Sequence, residues 1–68
     1  MPWTADDLRR TQEHIEQALQ YISTQERRVD ELQREGRDTG NAEDLLWALR
    51  QTLVLLVQQK TVIGRDLK

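Results

Sequence analysis

A single glycine-punctuated stretch, residues 36–41, divides this chain into two long segments that both carry helical patterns. Residues 5–35 contain neither glycine nor proline, and Gly36 then stands where a helix end favours a residue that tolerates the left-handed conformation. Because so short a connection makes consecutive helices antiparallel neighbours, the sequence predicts an all-α, two-helix antiparallel hairpin. We place the first helix at about 5–35, the turn at 36–41 and the second helix at about 42–65, within one domain spanning residues 1–68.

The first predicted helix carries one narrow apolar stripe. Its large apolar residues recur every seven positions, and smaller or polar residues follow most of them by three. The stripe consists of Leu8, Ile15, Ile22 and Val29 together with Thr11, Ala18, Gln25 and Leu32. The other faces are charged, which is typical of a helix that buries one side only. Thr4 and Asp7 predict the cap at its start, with Trp3 and Leu8 placed as a hydrophobic staple.

The second predicted helix has an apolar seam with alternating spacings of four and three, the pattern of coiled-coil-like packing. The seam consists of Ala42, Leu46, Leu49, Leu53, Leu56, Lys60, Ile63 and Leu67, and only Lys60 interrupts it. Residues 53–57 form an uninterrupted apolar run, so the middle of this helix is apolar on every side, as in a buried helix. Asp38, Thr39 and Asn41 are each suited to cap this helix, and the sequence does not choose among them.

The narrow stripe of the first helix cannot cover a second helix that is apolar all round. The uncovered sides would form an exposed patch too large for a soluble monomer. At this chain length self-association is the usual remedy, and two-fold dimers are the commonest closed assemblies. We therefore expect a homodimer, a four-helix bundle with the second helices inside; a tetramer or a different protein partner is also compatible with the pattern. The expected core and dimer-interface residues are Leu46, Leu49, Leu53, Val54, Leu56, Val57 and Ile63.

Antiparallel pairing through the turn predicts facing residues whose numbers sum to about 78. This register places Leu32 near Leu46 and Lys60 opposite Ala18. The small side chain of Ala18 leaves room for the lysine stem. We interpret Lys60 as a polar seam residue that specifies the alignment of the helices.

Composition excludes several chemistries. The chain has no cysteine and a single histidine, which removes thiol catalysis, disulfides and histidine metal clusters. No phosphate-binding loop and no convergent acid–base pair is present, so we predict no enzymatic activity, no metal and no cofactor. The longest apolar run is five residues, far short of the roughly 20 that span a bilayer. We expect a cytoplasmic protein without a membrane partner.

Charge bears on nucleic-acid binding. The formal net charge is −2, and eight acidic residues stand against five basic ones within residues 5–35. This balance disfavours nucleic acid as a partner. RNA or DNA binding through the arginines of the first helix is nevertheless the alternative function. Those residues are Arg9, Arg10, Arg27, Arg28 and Arg34.

Two tryptophans are candidates for contact with a different protein. Trp47 lies near the turn and one position from the seam, and Trp3 precedes the first helix. Tryptophan is enriched at binding hot spots. Packing at the edge of the dimer is the alternative role for Trp47.

One sequence pattern covers the predicted turn and the start of the second helix: Gly36-x-Asp38-Thr39-x-x-Ala42-Glu43-x-Leu45-Leu46, followed by Leu49 and Thr52-Leu53. Through it, about a quarter of the chain resembles a group of short, uncharacterised bacterial helical-hairpin proteins. The resemblance implies a hairpin with a specific turn and brings no established activity. In architecture alone the chain is also similar to the Rop family of plasmid copy-control RNA-binding proteins, hairpins that dimerise into four-helix bundles, with no shared motif. We expect a small non-enzymatic protein–protein interaction or regulatory module.

Overall fold

The computed structural model describes residues 3–67 as two long helices that pack side by side. Helix α1 spans Ala5–Arg34, helix α2 spans Gly40–Asp66, and the described residues contain no strand. The hairpin measures 51 × 14 × 13 Å. A helix of the length of α1 is about 45 Å long, so α1 extends along most of the hairpin. The prediction of an all-α, two-helix hairpin is confirmed. Residues 1, 2 and 68 of the predicted domain lie outside the described part.

Helix α1 begins with a complete capping box. The backbone N–H of Asp7 donates to Oγ1 of Thr4 at 3.1 Å, and the backbone N–H of Thr4 donates to Oδ2 of Asp7 at 2.9 Å. Trp3 and Leu8, which flank this cap, are both half-buried. The start of α1 is thus held by the residues to which the sequence assigns the cap.

Helix α1 ends in a Schellman motif centred on Gly36. The backbone N–H of Gly36 donates to the carbonyl of Gln33 at 3.1 Å, and that of Arg37 donates to the carbonyl of Leu32 at 2.9 Å. Gly36 has a φ of 68°, in the left-handed region that side chains disfavour. The turn therefore needs glycine for its backbone conformation.

Replacing Gly36 with alanine is expected to lower the free energy of unfolding by about 1 kcal/mol. A Cβ at this position meets nothing within 4 Å, so the cost is conformational. Gly64→Ala is the matched control, because its Cβ also meets nothing within 4 Å but is added to a residue within the last turn of a helix. There we expect a gain of about 0.5–1 kcal/mol. Chemical denaturation measures both values, and effects of the same sign would contradict the turn assignment.

Helix α2 begins at Gly40, two residues before the Ala42 at which the sequence analysis places its start. Thr39 occupies the N-cap position, but its side chain makes no capping hydrogen bond. The backbone N–H of Gly40 instead donates to Oδ1 of Asp38 at 2.9 Å. Of the three candidate caps, Thr39 therefore supplies the position and Asp38 supplies the side-chain oxygen.

The core follows the line of contact between the helices. Ile22, Val29 and Leu46 form a buried cluster, and Ala42, Leu49 and Leu53 pack against it. Ile63, near the far end of α2, is the only described residue whose large side chain is fully buried, at 0% exposure.

The register between the helices differs from the predicted one. Leu46 packs with Val29, whereas Leu32 lines a groove with Ala42 and Leu45. The predicted pairing of Leu32 with Leu46 is therefore wrong. The reason is the earlier start of α2, which makes its residues face α1 positions farther from the turn.

The same shift changes the surroundings of Lys60. Ala18 shares a groove with Leu49 and Leu56, whereas Lys60 is exposed and lines a different groove beside Val57. The structure therefore does not bring Lys60 to Ala18 as the predicted register requires. Within the described residues, the cross-helix polar contact to α2's first turn comes from Gln25 instead. Its Nε2 donates to the carbonyl of Ala42 at 2.9 Å.

Candidate interaction surface

The hairpin leaves much apolar surface of α2 uncovered. The chain exposes 5445 Å², whereas a compact monomer of 8.0 kDa exposes about 4,450 Å². The exposed large apolar residues of α2 and its C-cap are Leu45, Trp47, Val54, Leu55, Val57, Val62 and Leu67. Within residues 3–67, α1 adds only Leu19 and Tyr21. The candidate functional surface is therefore on α2.

The seven residues predicted for the core and dimer interface fall into two sets. The first set lies in or beside the core shared with α1 and comprises Leu46, Leu49, Leu53, Leu56 and Ile63. The second set is nearly half exposed, with Val54 at 49% and Val57 at 47%. A partner therefore has full access only to the second set.

Two grooves lie on one side of the hairpin. One holds about 240 Å³ and is lined by Tyr21 and Thr52 among others; the next holds about 330 Å³ and includes Arg28 and Leu45. Tyr21 and Arg28 are seven residues apart on α1, as are Leu45 and Thr52 on α2. Because a seven-residue step returns to nearly the same face of a helix, the two grooves are successive parts of one side. We call it the grooved side.

A second stripe of α2 runs along the grooved side. Its residues are separated alternately by three and four positions, include Leu45 and Thr52, and carry no charge. The second stripe consists of Leu45, Ala48, Thr52, Leu55, Gln59 and Val62. Leu55 is 65% exposed, more than any other large aliphatic side chain described. Sequence reasoning missed this stripe although its spacing can be seen in the sequence. The core seam has the same period and is more apolar, so it was the pattern that was recognised.

The other side of the hairpin carries charged as well as apolar residues. Nη2 of Arg50 lies 3.3 Å from Oε2 of Glu26 and joins the two helices there. A third groove lies farther along the same side of α2 and is lined by Val57, Lys60, Gly64 and other residues. Val57 and Gly64 lie one and two heptads beyond Arg50, which places this groove on the same face of the helix. This side therefore offers mixed apolar and charged surface.

The two tryptophans differ in accessibility. Trp47 is 66% exposed and follows the buried Leu46, so it points away from the core. Trp3 is half-buried next to the cap of α1. Trp47 is therefore the more accessible of the two predicted partner contacts.

Most arginines of α1 have acidic partners one turn away. Arg9 forms ion pairs with both Asp6 and Glu13. Arg10 also pairs with Asp6, at 3.1 Å, and Arg34 pairs with Asp30 at 3.0 Å. The hydrogen bond and charge of Arg9, with the charge of Arg10, hold the pKa of Asp6 below its ordinary value. These contacts form a solvated network of compensated charge.

Within residues 3–67, no group of three or more His, Cys, Asp or Glu residues is placed to hold a metal ion. Over the same residues, neither helix combines the length and the apolar character that crossing a membrane requires. No protein-family model, curated protein or solved structure matches the chain. The chemistry of the hairpin's own surface is therefore the basis for inferring its function.

Proposed function

We propose that the chain is a small, non-enzymatic protein–protein interaction or regulatory module of the cytoplasm. In this proposal it homodimerises through α2 and forms a four-helix bundle. The observation that carries the proposal is the apolar surface of α2 that α1 leaves uncovered.

The amount of uncovered surface matches what a dimer buries. The chain's 5445 Å² exceeds the area of a compact monomer by about 1,000 Å². A standard protein–protein interface buries about 800 Å² on each partner. Residues 51–59 of α2 carry no charged side chain, so a second copy can cover this segment without desolvating an ion there.

A dimer of this kind would carry two copies of every side chain on its outer surface. Trp47 stands out among them because a large aromatic side chain, 66% exposed, is a typical binding anchor. We propose it as the contact through which the module recognises a different protein. Dimerisation would then strengthen recognition of a partner that offers two sites.

Concentration-dependent unfolding tests the homodimer. Because mass action stabilises an assembled state, Tm should rise by several degrees across roughly a hundredfold increase in chain concentration. Circular dichroism at 222 nm, which reports helix content, measures the transition. A Tm that is the same at both ends of the range would contradict the proposal.

The alternative, an RNA- or DNA-binding regulator, has weaker support. Among the arginines of α1, Arg27 and Arg28 have no carboxylate within ion-pair distance in the described residues. The net charge of −2 opposes approach to a phosphate backbone. Gel-shift experiments over a salt series would favour this alternative if they showed binding that weakens steeply as salt rises.

A further inference from the structure

We propose that two copies pair antiparallel through their second stripes, with Leu55 of each copy entering the groove beside Thr52 of the other. This inference rests on the proposed homodimer and specifies its face and its register. It is carried by the shape of the grooved side, by the sizes of the residues along the stripe and by the charges at the two ends of α2.

The groove beside Thr52 is suited to receive an aliphatic side chain. It holds about 240 Å³, and the short side chains of Ala18 and Thr52 line it together with Leu49 and Leu56; His14, Gln17 and Tyr21 complete the lining. Leu55 is the protruding feature of the same surface, at 65% exposure. Helices with stripes of alternating three and four spacing pack by inserting such a knob into such a hole.

One antiparallel register matches large residues with small ones over the middle of the stripe. When the numbers of facing residues sum to about 107, Leu55 faces Thr52, and Gln59 faces Ala48. The end residues Leu45 and Val62 then face one another. Each pair occurs twice, so the surface is self-complementary, as a two-fold axis requires.

The charges of α2 favour the antiparallel direction. Glu43 and Asp44 lie in its first turns, and Lys60, Arg65 and Asp66 lie near its end, so the start is acidic and the end carries a small net positive charge. Antiparallel pairing opposes the two helix dipoles and brings the ends of opposite net charge within about one turn of each other. Because Lys60 and Arg65 line the groove on the other side, this attraction acts at long range and not through direct ion pairs. Parallel pairing would align the two dipoles and place the acidic starts of the two helices side by side.

The other side of the hairpin is less suited to a second copy, because its charges lie along the middle and the end of α2, whereas the charges that line the grooved side, Arg28, Arg37 and Asp38, lie near the turn. A partner there would have to desolvate the Arg50–Glu26 ion pair, which is exposed on both side chains. It would also cover Lys60 and Arg65, which line the groove on that side. Taking such charges out of water is costly unless new partners replace the solvent.

A knob-and-hole exchange tests the register. Leu55→Ala removes the knob and Thr52→Leu fills the hole, so each is expected to raise the dimer Kd at least about thirtyfold. In the double variant, the larger side chain introduced at position 52 of one copy occupies the space vacated at position 55 of the other, and most of the affinity should return. Trp47→Ala is the control, with an unchanged Kd. Sedimentation equilibrium measures all four variants, and helix content checks their folding.

The possible outcomes separate the two proposals. A wild-type chain that stays monomeric at every concentration overturns the homodimer itself. If the wild type dimerises and both single variants keep its Kd, the homodimer stands and the second-stripe interface is wrong. If both single variants weaken the dimer and the double variant adds their losses, the stripe is the interface but the proposed register is wrong.

Disulfide crosslinking gives an independent reading of the register. The natural chain has no cysteine, so introduced thiols have no competitors. Ala48→Cys and Gln59→Cys chains, mixed and oxidised, should form a covalent heterodimer, because these positions face one another in the proposed register. Neither variant should crosslink efficiently by itself. Efficient self-crosslinking of each variant would indicate parallel pairing and overturn the proposal.

Discussion

Leu55→Glu is expected to turn the proposed dimer into folded monomers. Leu55 is 65% exposed in the hairpin, so the substitution should leave helix content unchanged. In the dimer it would bury two uncompensated carboxylates and remove two apolar contacts. The expected rise in Kd is on the order of a thousandfold or more. Sedimentation equilibrium measures the dissociation and circular dichroism verifies the fold.

Trp47→Glu is the matched control for this substitution. Trp47 is 66% exposed, and the same charge is introduced on the same helix but on a different face. We expect the dimer to persist. A dimer that dissociates with Trp47→Glu and survives Leu55→Glu would contradict the assignment of the interface to the grooved side.

Ile63→Ala is expected to have the largest effect on folding. Ile63 is fully buried at 0% exposure, and its truncation loses transfer free energy and leaves a cavity between the helix ends. The expected loss is about 3 kcal/mol of unfolding free energy. That is a large fraction of the stability of a small domain, which is on the order of 0.1 kcal/mol per residue. Urea denaturation should show a lower midpoint at a constant slope.

Two further variants serve as controls for the loss of unfolding free energy expected with Ile63→Ala. Ile63→Val removes one methylene from the same site and should cost about 1 kcal/mol. Gln58→Ala changes an exposed position of α2 and should stay within about 0.5 kcal/mol of the wild type. An Ile63→Ala loss no larger than that of Gln58→Ala would contradict the packing of α2 on α1.

The helix ends were predictable because their signals are local. Gly36 follows an unbroken helical segment, and Thr4 precedes an acidic residue at the capping-box spacing; the structure places both at helix termini. The core seam was predictable for a similar reason, because its period identifies the residues on one face of a helix. Leu46 and Ile63, both seam residues, are buried.

The register was not predictable from the same information. It depends on where α2 begins, and three residues of the turn, Asp38, Thr39 and Asn41, were each suited to cap it. The hydrogen bond from Gly40 to Asp38 accompanies the early start, which moves Leu46 away from Leu32 and towards Val29. The start of α2 at Gly40 thus accompanies the changed surroundings of Leu46 and Lys60.

The candidate surface was predictable in amount but not in place. The excess of apolar residues on α2 is evident in the sequence and led to the expectation of a partner. Which of these residues are free depends on the orientation of α2, which leaves Leu55 more exposed than Val54 or Val57. The grooves on one side are a property of the packed pair, so sequence patterns of single helices could not reveal them.

The molar mass of the wild-type chain in solution tests the central claim most directly. Light scattering after size exclusion, at several loading concentrations, measures it without reference to shape, which matters for a molecule 51 Å long and 14 Å wide. The account predicts twice the 8.0 kDa mass of one chain at micromolar concentration. A well-folded species of 8.0 kDa at every concentration would contradict it.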